Sequence, residues 1–184
     1  MHKPIFLTIF GALGAFLAYK LYTLRQFGNN SAVNISLGRK PDIINLDLIT
    51  YGTLRLWIDV EVINPQRQTF QATHPYVLVF NAAGTRIGNS IAAPSMIHKI
   101  EPGRNIIKDI EIRVPVKELI DTSNAVQILA AIADIIMNSS FTSVQKTREV
   151  YKVVLSAIKG KSYLTRTSFA IDGVVVNEQY TITF

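Results

Sequence analysis

From Leu54 to Asn64 the chain alternates without a break. Leu54, Leu56, Ile58, Val60 and Val62 share one parity, and Arg55, Trp57, Asp59 and Glu61 share the other. A period of two sustained over this length does not fit a helix. It specifies a strand with one dry face and one wet face. Both edges of such a strand carry N–H and C=O groups that need partners, so the chain has to build a sheet around it. Asn64-Pro65 ends the run. Proline offers no N–H to a ladder, and it holds the preceding residue extended. The asparagine side chain can bond nearby backbone as the chain leaves the sheet. The dipeptide therefore reads as the built-in end of the strand and as a marker of the fold.

The same period recurs along much of the chain. VNISL alternates before a GRKP turn, and DIINLDLITY follows as a strand-like run broken at Gly52. YVLVFNAAGTRIG reads as strand, turn at Asn81 to Gly84, and returning strand. After the Pro102-Gly103 turn, Ile106, Lys108, Ile110, Ile112 and Val114 are expected on one face, against Ile107, Asp109, Glu111 and Arg113. SYLTRTSFAI and VVVNEQYTITF, joined at Asp172-Gly173, read as a closing hairpin. Short strands at this spacing, with turn signals between them, predict a mainly β fold: a small antiparallel β-sandwich over residues 33–184.

Within it, about 117–160, the period changes. Asp121 to Asn124 supplies capping candidates for AVQILAAIADIIM, Ala125 to Met137, which is apolar nearly all round. Such a helix should be buried, or should meet a partner or lipid. It is too short to span a bilayer. The next helix, FTSVQKTREVYKVVLSAIKG, has an expected apolar stripe of Val144, Tyr151, Val154, Leu155 and Ile158, with Gly160 at its C-terminal cap. Lys146, Arg148, Lys152 and Lys159 lie on its polar side. Lys146, Arg148 and Lys152 are candidate contacts for headgroups or another anion, set against an ordinary solvated face.

The first twenty-five residues belong to another class. Pro4 to Tyr19 contains no charged side chain, and the apolar character resumes after Lys20. Twenty-odd residues at about 1.5 Å each cross a hydrocarbon layer of about 30 Å. Ile5, Phe6, Leu7, Ile9, Phe10, Leu13, Phe16, Leu17 and Leu21 would face lipid, and Tyr19 and Tyr22 suit the interface. A retained single-pass transmembrane anchor over 1–25 is the expectation, with 26–32 as linker. A cleaved signal peptide fits the His2-Lys3 start but lacks a small-x-small cleavage site. A buried helix of a soluble fold is the third option.

Chemistry is sparse. There are no cysteines, which excludes disulfides and thiolate sites. His2, His74 and His98 are far apart, with no metal-ligand spacing, so neither metal nor cofactor is expected. Asp59 with Glu61, and Asp109 with Glu111, read as the wet faces of strands, with Arg55 and Arg113 available to pair with them across strands. No GxSxG, SxxK or phosphate loop occurs. The net charge of +6 fits an anionic partner, but the basic residues are scattered, so nucleic acid is not expected. Trp57, on an otherwise polar face, is the best single contact candidate, against a tryptophan lying under a helix.

One constellation is familiar. LRLWIDVEVINP, then YVLVFNAAGTRIG, then a Pro-Gly turn into NIIKDIEIRVPV resembles the type-2 late-embryogenesis-abundant proteins, which carry the water-stress and hypersensitive-response (WHy) domain. The likeness covers Ile35 to Val116, with a looser match over Ser162 to Phe184. Gly84 and Gly88 would be the glycines of the turn after Asn64-Pro65. The helical section departs from the pattern. The resemblance implies a small antiparallel sandwich and a non-enzymatic role. On that footing the chain is expected to be a membrane-anchored structural or interaction protein displaying its sandwich at a membrane surface. Its partners would be membrane lipid and other proteins, including a second copy or capsid and envelope components. The alternatives are a structural protein of a membrane-containing virion linking bilayer to capsid, and a lipid or hydrophobic-ligand carrier gated by the Ala125–Met137 helix.

Overall fold

The computed structural model describes residues 32–93, 95–120 and 124–184. The expected anchor and most of its linker lie outside them. Among the described residues no helix is long and apolar enough to cross a bilayer.

The strands are β1 (Ala32–Leu37), β2 (Asp42–Ile44), β3 (Thr53–Asn64), β4 (Phe70–Thr73), β5 (Tyr76–Phe80), β6 (Arg86–Ser90), β7 (Ile97–Ile100), β8 (Gly103–Pro115), β9 (Ser162–Ile171) and β10 (Val174–Thr183). Three helices, α1 (Val116–Leu119), α2 (Ala125–Met137) and α3 (Ser143–Ile158), separate β8 from β9. The strands form one antiparallel sheet. β1 and β2 follow each other along one edge of β3, and β8 takes the other. Beyond β8 come β6, β5, β9 and β10. β4 continues the line of β5 along β9 and carries β7.

β3 is the strand that its alternation predicts. Leu54, Leu56, Ile58, Val60 and Val62 are 0–2% exposed. Across the sheet, Phe70, Ala72, Val77, Val79, Tyr163, Phe169 and Ile171 contribute to the same core. The two halves meet where β6 crosses from β5 to β8. There a Cβ on Gly88 would stand 2.6 Å from the Arg113 carbonyl oxygen and from Val114, so only glycine allows the approach.

β8 departs from its expected parity. Ile58 faces Ile110 and Val60 faces Ile107, so Lys108 and Asp109 together oppose Asp59. This is a β-bulge, with Asp109 in the left-handed region at φ +59° and its N–H donating to Asp59 Oδ1 at 3.0 Å. The extra residue flips every side chain before it. Ile107 therefore joins Ile110, Ile112 and Val114 in the core, while Ile106 is 42% exposed and Lys108 faces water. The expected grouping of Ile106 and Lys108 with Ile110 is corrected accordingly.

The DIINLDLITY run also ends early. Only Asp42–Ile44 is strand. Asp47 then takes the Ile49 and Thr50 N–H groups on Oδ1 and the Thr50 hydroxyl on Oδ2, which coils the chain away from the sheet. Those donors hold the Asp47 carboxyl below its usual range, the Thr50 N–H foremost.

α3 begins with a capping box. Gln145 N–H donates to Thr142 Oγ1 at 3.3 Å, and Gln145 Oε1 accepts from Thr142 N–H at 2.8 Å. Its buried stripe is Val150, Val154 and Ile158; Val144, expected within it, is 71% exposed. Gly160 follows at φ +76°, as a helix stop requires. At the start of α2, Asn124 makes no side-chain cap bond, and Asp121, Thr122 and Ser123 lie outside the described residues. Of α2 only Ile132 is fully buried, while Val126 is 77% and Met137 59% exposed. The closing hairpin turns at Asp172 (φ +46°) and Gly173 (φ +84°), the two left-handed residues its sequence signals.

Candidate functional site

Antiparallel pairing sends the chain from Ala32, opposite Ile63, down β1 to Leu37, opposite Ile58. It then turns at Gly38–Pro41 and pairs Asp42 with Arg55. β8 reaches Pro115 opposite Thr53 and passes at once into α1. The helices therefore start from the Thr53 end of β3, and the described chain starts at the other. Ile63 to Arg55 is eight residues, about 26 Å at ~3.3 Å each.

At that Thr53 end, α3 lies against the β2 segment and leaves a groove of about 550 Å³. Pro41, Ile43, Val144 and Tyr151 give it an apolar lining, and Lys40 and Arg148 bring two cations to it. Asp42 also lines it, but its carboxylate already takes Arg55 Nε at 2.8 Å and Nη2 at 2.5 Å. The fork-to-fork geometry fixes that pair, and it holds the guanidinium above its usual pKa. Lys40 Nζ sits 5.9 Å from the centre of the Tyr151 ring. Burial, and then the Asp42 charge, raises the Tyr151 hydroxyl.

Trp57 lies beside this groove, on the face of β3 away from the core. It is only 8% exposed, and the Arg55 guanidinium stands 4.9 Å and Arg39 5.4 Å from its ring centre. Two guanidinium groups thus stand against Trp57 as cation–π contacts on a strand face. Arg39 in turn donates to Asp109 Oδ1 at 2.6 Å, which holds that carboxyl below its ordinary range.

The three candidate bases of α3 have separate surroundings. Lys146 Nζ donates to the Ile136 carbonyl at 2.5 Å and so finishes the C-terminus of α2. Lys152 pairs with Glu149 at 2.7 Å. Arg148 lines the groove. The cross-strand pairing expected of Arg55 and Arg113 is also different. These two residues face each other in the register: Arg55 pairs across strands with Asp42 of β2, outside the expected four, and Arg113 takes the expected Glu111 at 2.7 Å, but along its own strand. Glu61 is held by Arg104.

One pairing has no counterpart in the sequence reading. His74 Nδ1 and His98 Nε2 are 3.0 Å apart. Ala72 pairs with His98, so His74 is its diagonal neighbour on the face that also carries Phe70 and Ile100. Counting by twos from Phe70 and back from Ile100 reaches both histidines. That was the available signal. Desolvation at the rim of the core lowers both pKa values, with the His98 charge adding to the effect on His74. Among the described residues, no three His, Asp or Glu side chains converge as a metal cluster.

No protein-family model matches the chain, and no curated protein does. Solved structures offer distant shapes. A β-glucuronidase of glycoside hydrolase family 2 superposes with a TM-score of 0.40 at 6% identity, over 83% of this chain and 11% of its own. A protein from Archaeoglobus fulgidus gives 0.37 at 10% identity, over 83% of this chain and 95% of its own. The putative ApaA protein from Bordetella pertussis gives 0.37 at 7% identity, over 84% and 94%. Likenesses of this size establish neither family nor activity.

Proposed function

We propose that the chain is a non-enzymatic, membrane-anchored interaction protein, with a WHy-like β-sandwich that carries a recognition surface away from the bilayer. The observation behind this reading is the polarity of the molecule. The chain enters at the Ile63 end of β3, while the Lys40–Arg148 groove and the helices collect at the Thr53 end. An anchor over 1–25 would hold the first end at a membrane. The second end would then face a protein partner about 26 Å further out, with acidic groups for Lys40 and Arg148 and apolar groups for Pro41, Ile43, Val144 and Tyr151. A linker between bilayer and capsid is the same arrangement with the shell as partner. The sandwich assignment is supported by the curl of the sheet around a single core and by Asn64-Pro65 at the end of β3.

Floatation on mixed phosphatidylcholine–phosphatidylserine vesicles tests the arrangement. The full chain is expected to float, and Leu13→Lys with Phe16→Lys is expected to stop it, because charge at mid-bilayer is costly. Lys40→Glu with Arg148→Glu should float like wild type. Floatation lost with the groove charges, and kept with the disrupted apolar segment, would overturn the reading.

A further inference from the structure

We infer that the outer edge of β10 pairs with the same edge of a second copy of this chain, antiparallel, about a two-fold axis at Gln179. Asp172 and Gly173 form a two-residue turn with φ positive at both positions, so Ile171 and Val174 are its hydrogen-bonded pair. The register then runs unshifted to Thr183. Val174, Val176, Glu178, Tyr180 and Ile182 therefore turn their main-chain groups toward β9. Two further bonds keep this parity: the Tyr180 carbonyl accepts from Thr165 Oγ1 at 3.2 Å, and the Phe184 N–H donates to the Lys161 carbonyl at 3.1 Å. Val175, Asn177, Gln179, Thr181 and Thr183 turn theirs outward, where no strand among the described residues pairs with them.

Such an edge is a template for another strand, and this one lacks the usual guards. Val174–Thr183 contains no proline, glycine, lysine or arginine and carries no bulge, and its one charge, Glu178, lies on the half-buried parity. A strand of its own kind fits it. An antiparallel pair of identical strands has its axis at a residue that faces itself, and here that residue must be one whose main chain points outward. An axis at Gln179 engages Val175 through Thr183. One at Asn177 stops at Tyr180 and sets Glu178 against Val176. At Gln179, Val176 meets Ile182 and Glu178 meets Tyr180, so like charges never face each other and the half-buried apolar pairs extend the core across the axis. The outward residues of the two copies supply about ten N–H···O bonds. The axis also turns one copy end for end. β10 starts at the Asn64 end, where Asp172 meets Gln71, and finishes beside the end of α3. On the anchored reading above, the pair would therefore join chains from two facing bilayers; the pairing itself does not rest on that reading.

Sedimentation of the full chain in detergent tests the pairing, and it does not depend on the chain floating with vesicles. The wild type is expected to run as two chains. Thr181→Pro removes an outward N–H, which an edge strand tolerates, and Gln179→Lys sets two like charges opposite each other. Each should weaken self-association at least tenfold, with the circular dichroism unchanged. The chain has no cysteine, so introduced cysteines report the register. Under diamide, Gln179→Cys should form a cross-linked dimer, its two Cα atoms lying about 5.5 Å apart at the axis. Asn177→Cys alone should not, and mixed with Thr181→Cys it should give the heterodimer. A wild type of one chain would overturn the proposal. So would a two-chain species that survives both Thr181→Pro and Gln179→Lys, as pairing through the apolar first segment would produce, or cross-linking at Asn177→Cys in place of Gln179→Cys.

Discussion

The Asn64 side-chain amide donates to the Ile100 carbonyl 3.1 Å away, joining the end of β3 to the end of β7. The same amide reaches the Gln68 carbonyl at 2.9 Å, and its Oδ1 accepts from Gln66 N–H at 2.9 Å. Asn64 is 1% exposed, so its removal leaves buried backbone groups without partners. Asn64→Ala is expected to cost about 2–3 kcal/mol in urea unfolding. Pro65 is exposed, and Pro65→Ala should cost less than about 1 kcal/mol. Equal losses would contradict this division of labour.

Gly88 is a contact-limited position. Its added Cβ would meet a backbone oxygen at 2.6 Å, and backbone cannot swing aside as a side-chain tip can. Gly88→Ala should lower stability by about 2–3 kcal/mol through strain where β6 meets β8. Gly84 lies in open space at φ +77°, so Gly84→Ala should cost only the left-handed conformation, about 1 kcal/mol. Thermal melts of the two variants separate the mechanisms.

Among the described residues, Thr167 Oγ1 is buried without a hydrogen-bond partner. Its position is 1% exposed, on the core-facing parity of β9. Thr167→Val keeps the shape and removes the unsatisfied hydroxyl, so a gain of about 1 kcal/mol is expected. A loss would mean that the hydroxyl is satisfied in solution.

Tyr180 ties the last strand to the first, its hydroxyl donating to the Val33 carbonyl. Burial, and then the Glu178 charge, pushes its pKa from 10.0 to about 12. The folded state therefore holds this proton more tightly than the unfolded state. Tyr180 contributes its full stability below pH 10 and loses it as pH rises toward 12. Melting temperature should fall across that window, and it should fall less steeply in Tyr180→Phe. Identical slopes would rule the linkage out.

Where one residue sits opposite one residue, alternation was enough to read the fold: β3, the Asp172-Gly173 hairpin and the final strands follow from it. It failed at Asp109. A bulge is an offset between two strands, and neither strand's own pattern records it. Ile106 and Ile107 are both β-branched and both apolar, so nothing local chooses between them. The groove was legible only in part. The helix pattern places Arg148 on the polar side of α3, but Lys40 comes from a turn about a hundred positions earlier, brought there by β1 and β2 lying along β3. Lys146 stood in the same basic run, yet serves the end of the neighbouring helix, a role set by how α2 and α3 pack.

The route of the chain along β3 also has a mechanical meaning. A tether before Ala32, pulled against a load on the helices, would draw β1 lengthwise past β3. All six of its paired residues would resist together, and the three pairs of β2 would stand behind them. Strands loaded in that direction yield by sliding and not by peeling open one rung at a time.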